Sequence, residues 1–306
     1  MKDGRIVFMG TPEFAVASLD KLVTAGFNIV GVVTAADKPA GRGMQLTESA
    51  VKQYALTKGL HVLQPTNLKA PVFLEELLSL QADLQVVVAF RMLPEVVWSM
   101  PKMGTINLHG SLLPQYRGAA PINWAIINGE KVTGVTTFKL QHKIDTGDIL
   151  LQERIDIGDN ETAGELHDRM KEIGGELLVK TVKGVFKGAI KETPQNIVND
   201  ELKYAPKLFT DNCRIDWRKN IYEIYNLIRG LSPYPGAFTN LKDKTLKIYT
   251  ATKEYSEPTV PFGHFLTDKK TYLKFACESG YISINELQLE GKRKIKTEEF
   301  LRGYHF

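Results

Sequence analysis

Along the first 110 residues, short apolar runs alternate with segments of helical spacing, and this alternation constrains the fold more than any other feature. The runs cover residues 5–9 (RIVFM), 28–34 (NIVGVVT), 61–63, 84–90 (LQVVVAF) and 106–109. Apolar side chains on both faces of a strand require cover on both faces, which crossover helices supply. The first helix is predicted to begin at Pro12, to bury Phe14, Val16, Leu19, Leu22 and Val23, and to end at Gly26. Others are predicted over 49–58, 72–81 and 120–128. Strand and helix in alternation predict an α/β fold with a Rossmann-like, mostly parallel sheet.

The pattern changes after residue 130. Residues 132–141 and 149–157 are strand-like and separated only by HKIDTGD, and a long helix is predicted over 163–186. Residues 190–208 have weak periodicity and two prolines, and read as a linker. A helix is predicted over 221–229. After Pro233-Tyr234-Pro235-Gly236 come KTLKIYTAT, YLKFACES and YISINELQL, which predict a smaller C-terminal β-barrel of OB-like type. The expected organisation is a catalytic domain over 1–189, a linker over 190–208 and a β-barrel domain over 209–306. A chain of 306 residues with 43% apolar content is long enough for both cores.

Charge separates the two parts. The segment from residue 209 onward holds 16 Lys/Arg and 12 Asp/Glu, which accounts for the whole net charge of +4. A basic excess there fits a polyanionic partner, and it fits a soluble surface equally well. Cys213 and Cys277 are far apart and in no metal or redox pattern, so they read as reduced thiols of a cytoplasmic protein. No run is long enough to span a bilayer, and the N-terminus lacks a signal-peptide pattern.

The first strand-to-helix turn reads Met9-Gly10-Thr11-Pro12-Glu13-Phe14. It has one glycine where a dinucleotide fingerprint needs three, and Glu13 would repel a pyrophosphate, so a nicotinamide cofactor is not expected. Polar chemistry gathers instead at the end of the fifth strand, in NLHGSLLP over 107–114. Asn107 and His109 are two apart and share a face at a carboxyl strand end, where open α/β sheets bind ligands. Asp145, in the turn-forming Ile144-Asp145-Thr146-Gly147-Asp148, is the expected third member. Asn offers a donor to a developing oxyanion, His exchanges a proton near neutral pH, and Asp orients or charges the ring. No Ser or Cys has an activating context, and Ser111 precedes a proline-stopped loop rather than a nucleophile elbow. The trio suits acyl transfer directly to an amine. The alternative is that His109 is structural and satisfied by a backbone carbonyl. The histidines form no metal-ligating spacing, and no metal is expected.

Asp37-Lys38-Pro39-Ala40-Gly41-Arg42-Gly43-Met44 reads as an exposed, mobile loop. It is either a long surface turn or an arm that lays Lys38 and Arg42 on a phosphate backbone.

NLHGSLLPQYRGAAPINWAI followed by IDTGDIL closely resembles the folate-dependent formyltransferases. FMGTPEFAV, DKPAGRG and DWRKNIYEIYNLIRGLSPYPGAF point within that family to the branch acting on methionyl-tRNA. The resemblance covers nearly the whole chain and is weakest after about residue 250. It implies 10-formyltetrahydrofolate as donor and the α-amino group of methionyl initiator tRNA as acceptor, in translation initiation. It places the catalytic groups on Asn107, His109 and Asp145, and folate contacts on Ser111, Leu112, Leu113 and Pro114. Phe90, Arg91 and Met92 fall on the lining of the pteridine pocket, where the family more often has Tyr-Gly and a longer apolar stretch. Before Asp145, His142-Lys143-Ile144 replaces the more usual Gly-Leu approach. The resemblance also implies a loop with Lys38 and Arg42 at the tRNA acceptor end, Arg42 its chief contact, and a C-terminal barrel that helps hold the tRNA. A monomer is the default state.

Three rivals share parts of this pattern. A formyltransferase for a small amine, such as glycinamide ribonucleotide or an amino-sugar nucleotide, or a formyltetrahydrofolate hydrolase, would keep the polar trio. Such enzymes need neither the basic C-terminal domain nor the PAGRG loop. An inactive tRNA-binding module would not need the trio, and a nicotinamide oxidoreductase would need more glycines in the first turn.

Overall fold

The computed structural model describes residues 4–40, 45–195 and 202–304. In chain order the elements are β1 (Arg5–Gly10), α1 (Glu13–Thr24), β2 (Asn28–Val33), β3 (Lys38–Ala40), β4 (Gln45–Thr47), α2 (Ala50–Thr57), β5 (Val62–Leu63), α3 (Pro71–Ser79), β6 (Leu84–Val88), α4 (Glu95–Trp98) and β7 (Thr105–His109). Then come β8 (Arg117–Gly118), α5 (Pro121–Ile127), β9 (Val132–Lys139), β10 (Ile149–Asp156), α6 (Ala163–Phe186), β11 (Tyr204–Ala205), α7 (Ile221–Gly230), β12 (Ala237–Leu241), β13 (Lys244–Glu254), β14 (Phe265–Thr267), β15 (Leu273–Cys277), β16 (Gly280–Leu289), β17 (Ile295–Lys296) and α8 (Thr297–Gly303).

The chain forms two compact units that interleave in sequence. One comprises Met1–Arg117, Gly134–Ile155 and His167–Lys203, and the other Gly118–Thr133, Asp156–Leu166 and Tyr204–Phe306. The first holds a seven-stranded sheet in the order β10-β9-β7-β6-β1-β2-β5. The pairs β5–β2, β2–β1, β1–β6 and β6–β7 are parallel, and β7–β9 is antiparallel. The Rossmann-like reading therefore holds from β1 to β7. Ile6, Val7, Phe8 and Met9 of β1 are fully buried, as are Leu84, Val86 and Val88 of β6. Gln85, also buried in β6, accepts a hydrogen bond at 3.1 Å from Thr105 Oγ1 on β7. α1 buries Phe14, Ala15, Ser18, Leu19 and Leu22, an i, i+4 stripe of the kind that covers a sheet.

Because β1, β2, β6 and β7 run the same way, their carboxyl ends share one edge of the sheet. Register places Val88 of β6 beside Gly10 of β1 and Leu108 of β7. That edge is where β7 delivers His109.

Beyond β2 the chain departs from expectation. The sequence predicts a loop over residues 37–44, of which 41–44 lie outside the described residues; residues 38–40 instead form β3, which pairs antiparallel with β4, Lys38 with Thr47, Pro39 with Leu46 and Ala40 with Gln45. Pro39 hides this strand in the sequence, since it removes a ladder donor and is tolerated only where pairing is one-sided.

The second unit carries a six-stranded antiparallel sheet, ordered β12-β13-β16-β15-β14 with β17 also on β16. The register shifts between Ile248 and Ala251 of β13, and such bulges bend a strand. The predicted barrel is a curled half-barrel, with β12 and β14 as its edges. Its core stacks Trp217 on Phe275 at 4.8 Å and takes Ile221, Ile224 and Ile228 from α7. α7 opens on a capping box, in which Asn220 accepts from the Glu223 amide and Glu223 reaches back to the Asn220 amide. Among the described residues no helix is long and apolar enough to cross a membrane.

Candidate active site

Asn107 is half-buried, whereas the other four residues of β7 are buried. It lies opposite Val87 of β6 and Phe138 of β9, and His109 lies opposite Thr136. The side-chain amide of Asn107 has no hydrogen-bond partner among the described residues. An amide carries two donors and an acceptor, so leaving all of them unspent at a half-buried position is costly unless water or a ligand takes them.

His109 is 7% exposed. Its Nε2 donates to the carbonyl oxygen of Tyr116 at 2.8 Å. Its Nδ1 lies 3.8 Å from Asp145 Oδ2, an ion-pair distance longer than a direct hydrogen bond. The two readings of His109 thus coincide: a backbone carbonyl does satisfy the ring, and the same ring faces the carboxylate. Tyr116 has a left-handed backbone, φ 59, as does Asp145, φ 53.

The loop after β7 is fixed by its own polar groups. Ser111 is fully buried and donates its hydroxyl to the Gln115 carbonyl at 2.6 Å, so its proton is committed to the backbone. Thr136 of β9 donates to the Ser111 carbonyl at 2.6 Å and accepts from the Leu113 amide at 3.2 Å. Gln152 of β10 donates to the Leu113 carbonyl at 3.0 Å and to Thr136 Oγ1 at 2.9 Å. Leu113 is buried, whereas Leu112 and Pro114 are half-buried.

The structure therefore brings Asn107, His109, Asp145 and the 111–114 loop together. Phe90, Arg91 and Met92 follow β6, the strand beside β7. Phe90 packs against the core that includes Val7, Met9 and Val87. Arg91 is spent on the chain itself, donating to the carbonyl of Thr66 at 2.9 Å and to that of Pro65. Met92 is 72% exposed. Lys38 is exposed on β3, in the separate two-stranded sheet with β4, and Arg42 lies outside the described residues. Among the described residues no cluster of three His, Cys, Asp or Glu forms a metal site.

Sequence reasoning missed Thr136, Gln152 and Gln195. Thr136-Thr137, a polar pair between Val135 and Phe138 in a buried strand, is a usable signal for the first. Gln195, whose amide donates to the Asp145 and Gly147 carbonyls, sits in the aperiodic segment read as linker and gives none.

Residues 4–182 match the family model described as formyl transferase, and residues 207–305 match that described as formyl transferase, C-terminal domain. The methionyl-tRNA formyltransferase of Bacteroides thetaiotaomicron is 50% identical over 310 residues, covering 99% of this chain and 96% of its own length. That of Flavobacterium johnsoniae is 53% identical, covering 100% and 98%. Among solved structures, an N-formyltransferase from Helicobacter canadensis in complex with folinic acid and dTDP-3-aminofucose superposes with a TM-score of 0.70 at 22% identity, covering 95% of this chain and all of that one. HypX from Aquifex aeolicus in complex with tetrahydrofolic acid gives 0.67 at 19%, covering 97% of this chain and 46% of that one. At such identities the likeness is one of fold.

Proposed function

The chain belongs to the formyl transferase family, and from that premise we propose that it moves the formyl group of 10-formyltetrahydrofolate to the α-amino group of methionyl initiator tRNA. The acceptor is carried by one observation: relatives named for methionyl-tRNA are half identical to this chain from end to end. The amino-sugar enzyme shares 22% identity. A reading as a sugar formyltransferase would rest on fold alone.

The residues at the end of β7 fit a formyl donor. Asn107 holds an unspent amide, and His109 stands between an acceptor carbonyl and a carboxylate. The 111–114 loop and residues 90–92 would hold the folate, which supplies a formyl group on a nitrogen that leaves as an amine. The mechanism follows from what each side chain has to give. Asn107 donates to the formyl oxygen as negative charge develops on it during amine attack. His109 and Asp145 together handle the proton that the incoming amine must lose and the departing nitrogen must gain, with Nδ1 facing the carboxylate while Nε2 stays on the Tyr116 carbonyl. Asp145 holds the ring in that role and balances its charge. No side chain needs to bond covalently to the formyl carbon.

The half-barrel unit and the β3–β4 hairpin are the proposed tRNA-binding parts. Lys38 and Arg42 supply cations for phosphate, and the segment from residue 209 onward holds the chain's excess of positive charge. On this reading the working divisions are 1–189 for catalysis and 209–306 for tRNA, with 190–208 between, in a cytoplasmic enzyme of translation initiation.

A formyl-transfer assay with 10-formyltetrahydrofolate tests the proposal, with methionyl initiator tRNA, methionyl elongator tRNA and glycinamide ribonucleotide as acceptors. Formylation of the initiator alone is expected. Transfer to the small amine alone would overturn the choice of acceptor and keep the polar trio.

A further inference from the structure

Asp145 is a non-glycine residue in a left-handed conformation, φ 53. Such a residue stays there only when its surroundings hold it. The turn is gripped on two sides. On one side Gly147 lies so close to β9 that an added Cβ would run into the Lys139 carbonyl oxygen, and the Lys139 amide donates to the Asp148 carbonyl at 3.0 Å. On the other side stands Gln195. Its Nε2 donates to the Asp145 carbonyl at 2.9 Å and to the Gly147 carbonyl at 2.7 Å, bridging the two residues around Thr146.

The orientation of that amide is itself fixed. Arg117 donates to Gln195 Oε1 from Nε at 3.1 Å and from a terminal guanidinium nitrogen at 2.6 Å. A guanidinium has donors only, so the oxygen of Gln195 must face it and the nitrogen must face the carbonyls. The backbone carrying Gln195 is tied to β10 by a reciprocal pair between Ile149 and Thr193, at 2.8 and 2.9 Å. A side chain 50 residues away therefore sets the turn that presents the Asp145 carboxylate to His109.

We propose that Gln195 is a positioning residue for formyl transfer: with Arg117 fixing its orientation, it holds the Asp145 turn so that the carboxylate faces His109. The inference rests on the reading of His109 and Asp145 as the proton-handling pair.

Gln195→Glu is the most selective test, because it keeps the size and the acceptor for Arg117 but loses the donor to both carbonyls. In the full-length chain, assayed beside wild type with 10-formyltetrahydrofolate and methionyl initiator tRNA, kcat is expected to fall by about 10- to 100-fold, the scale of a small misplacement of a catalytic group. Both KM values should stay within about twofold, since the group acts on turnover and not on binding. In an Asp145→Asn background the same change should cost nothing further, because its effect passes through Asp145. Amide hydrogen exchange over residues 143–148 should quicken in Gln195→Glu, a readout independent of catalysis. Wild-type kcat, full additivity with Asp145→Asn, or unchanged exchange in that segment would overturn the proposal. A wild-type chain that formylates no methionyl-tRNA would overturn the functional reading instead, and the exchange result would still judge the clamp. If Gln195→Glu does not fold, Gln195→Asn keeps the amide but is one methylene short. It should show the same loss of kcat at constant KM, and wild-type turnover in it would sink the idea.

Discussion

His109 Nε2 lies 2.8 Å from the carbonyl oxygen of Tyr116, seven residues further along the chain. With Nδ1 turned to Asp145, both ring nitrogens face oxygen atoms of the protein. The side chain at the end of β7 with donors to spare is then Asn107, whose amide is unpartnered among the described residues. Asn107→Ala should lower kcat by about 100-fold or more, ~3 kcal/mol of transition-state stabilisation, with a smaller effect on KM. Asn107→Asp should be at least as damaging, since it replaces a donor by an acceptor. Steady-state kinetics with methionyl initiator tRNA decide it, and a variant within about threefold of wild type would remove Asn107 from the oxyanion role.

Gly147 makes a different kind of contribution. A Cβ there would overlap the Lys139 carbonyl and approach Phe138, so the 144–148 turn must shift to admit it. Gly147→Ala should cost about 1–3 kcal/mol of stability, as overpacking does. It should also cost turnover, because Asp145 lies two residues before. Urea unfolding and kcat measured on one preparation test both. A stable variant with normal kcat would show that the turn tolerates displacement without moving the carboxylate.

The parts of the architecture that were readable from sequence are those in which burial imposes a pattern. β1 and β6 are buried along nearly their whole length, which forces the continuous apolar runs, and α6 spans the 163–186 segment its periodicity predicts. Asn107 and His109 were readable for the same reason, since alternation along β7 fixes a shared face. What escaped depends on backbone groups or distant partners. Every residue has a carbonyl, so nothing marks Tyr116 as the acceptor for His109. Gln195 reaches Asp145 across 50 residues from a segment with no periodicity. The β3–β4 hairpin escaped because Pro39 and a polar composition disguise its short pairing.

Neither cysteine is reactive on this structure. Cys213 is 4% exposed and Cys277 fully buried. Burial raises both thiols, with Glu278 adding to the effect at Cys277, which is pushed up to about 11. A thiol must ionise to react, so the folded chain should show no fast-reacting thiol towards an aromatic disulfide reagent at pH 8. Both of the chain's two cysteines should react once it is unfolded. A stoichiometric fast phase in native protein would contradict the burial.

The base of the β3–β4 hairpin should carry a pH signature. Asp37 sits immediately before β3 and accepts from Lys52 Nζ and, at 2.7 Å, from Gln64. The Lys52 hydrogen bond, then that of Gln64, holds the Asp37 carboxyl below its ordinary value of 3.8. The hydrogen bonds that the Lys52 ammonium donates to Asp37, then to Glu48, hold it above its ordinary 10.5. A depressed acid stabilises the fold fully above its unfolded pKa and loses that contribution as pH falls through the folded value. A raised base does the reverse, contributing fully below its unfolded pKa and losing it as pH rises through the folded value. The pair therefore contributes fully between about pH 4 and pH 10. Asp37→Asn removes the acidic partner, so its melting temperature should lie below that of wild type on this plateau. The gap should start to narrow as pH falls below 3.8, the ordinary value, and vanish only below the lower value that Asp37 has in the fold. Thermal melts of both proteins from pH 7 to pH 3 measure it, and a gap that stays constant across that range would show that the charge on Asp37 does not anchor the hairpin.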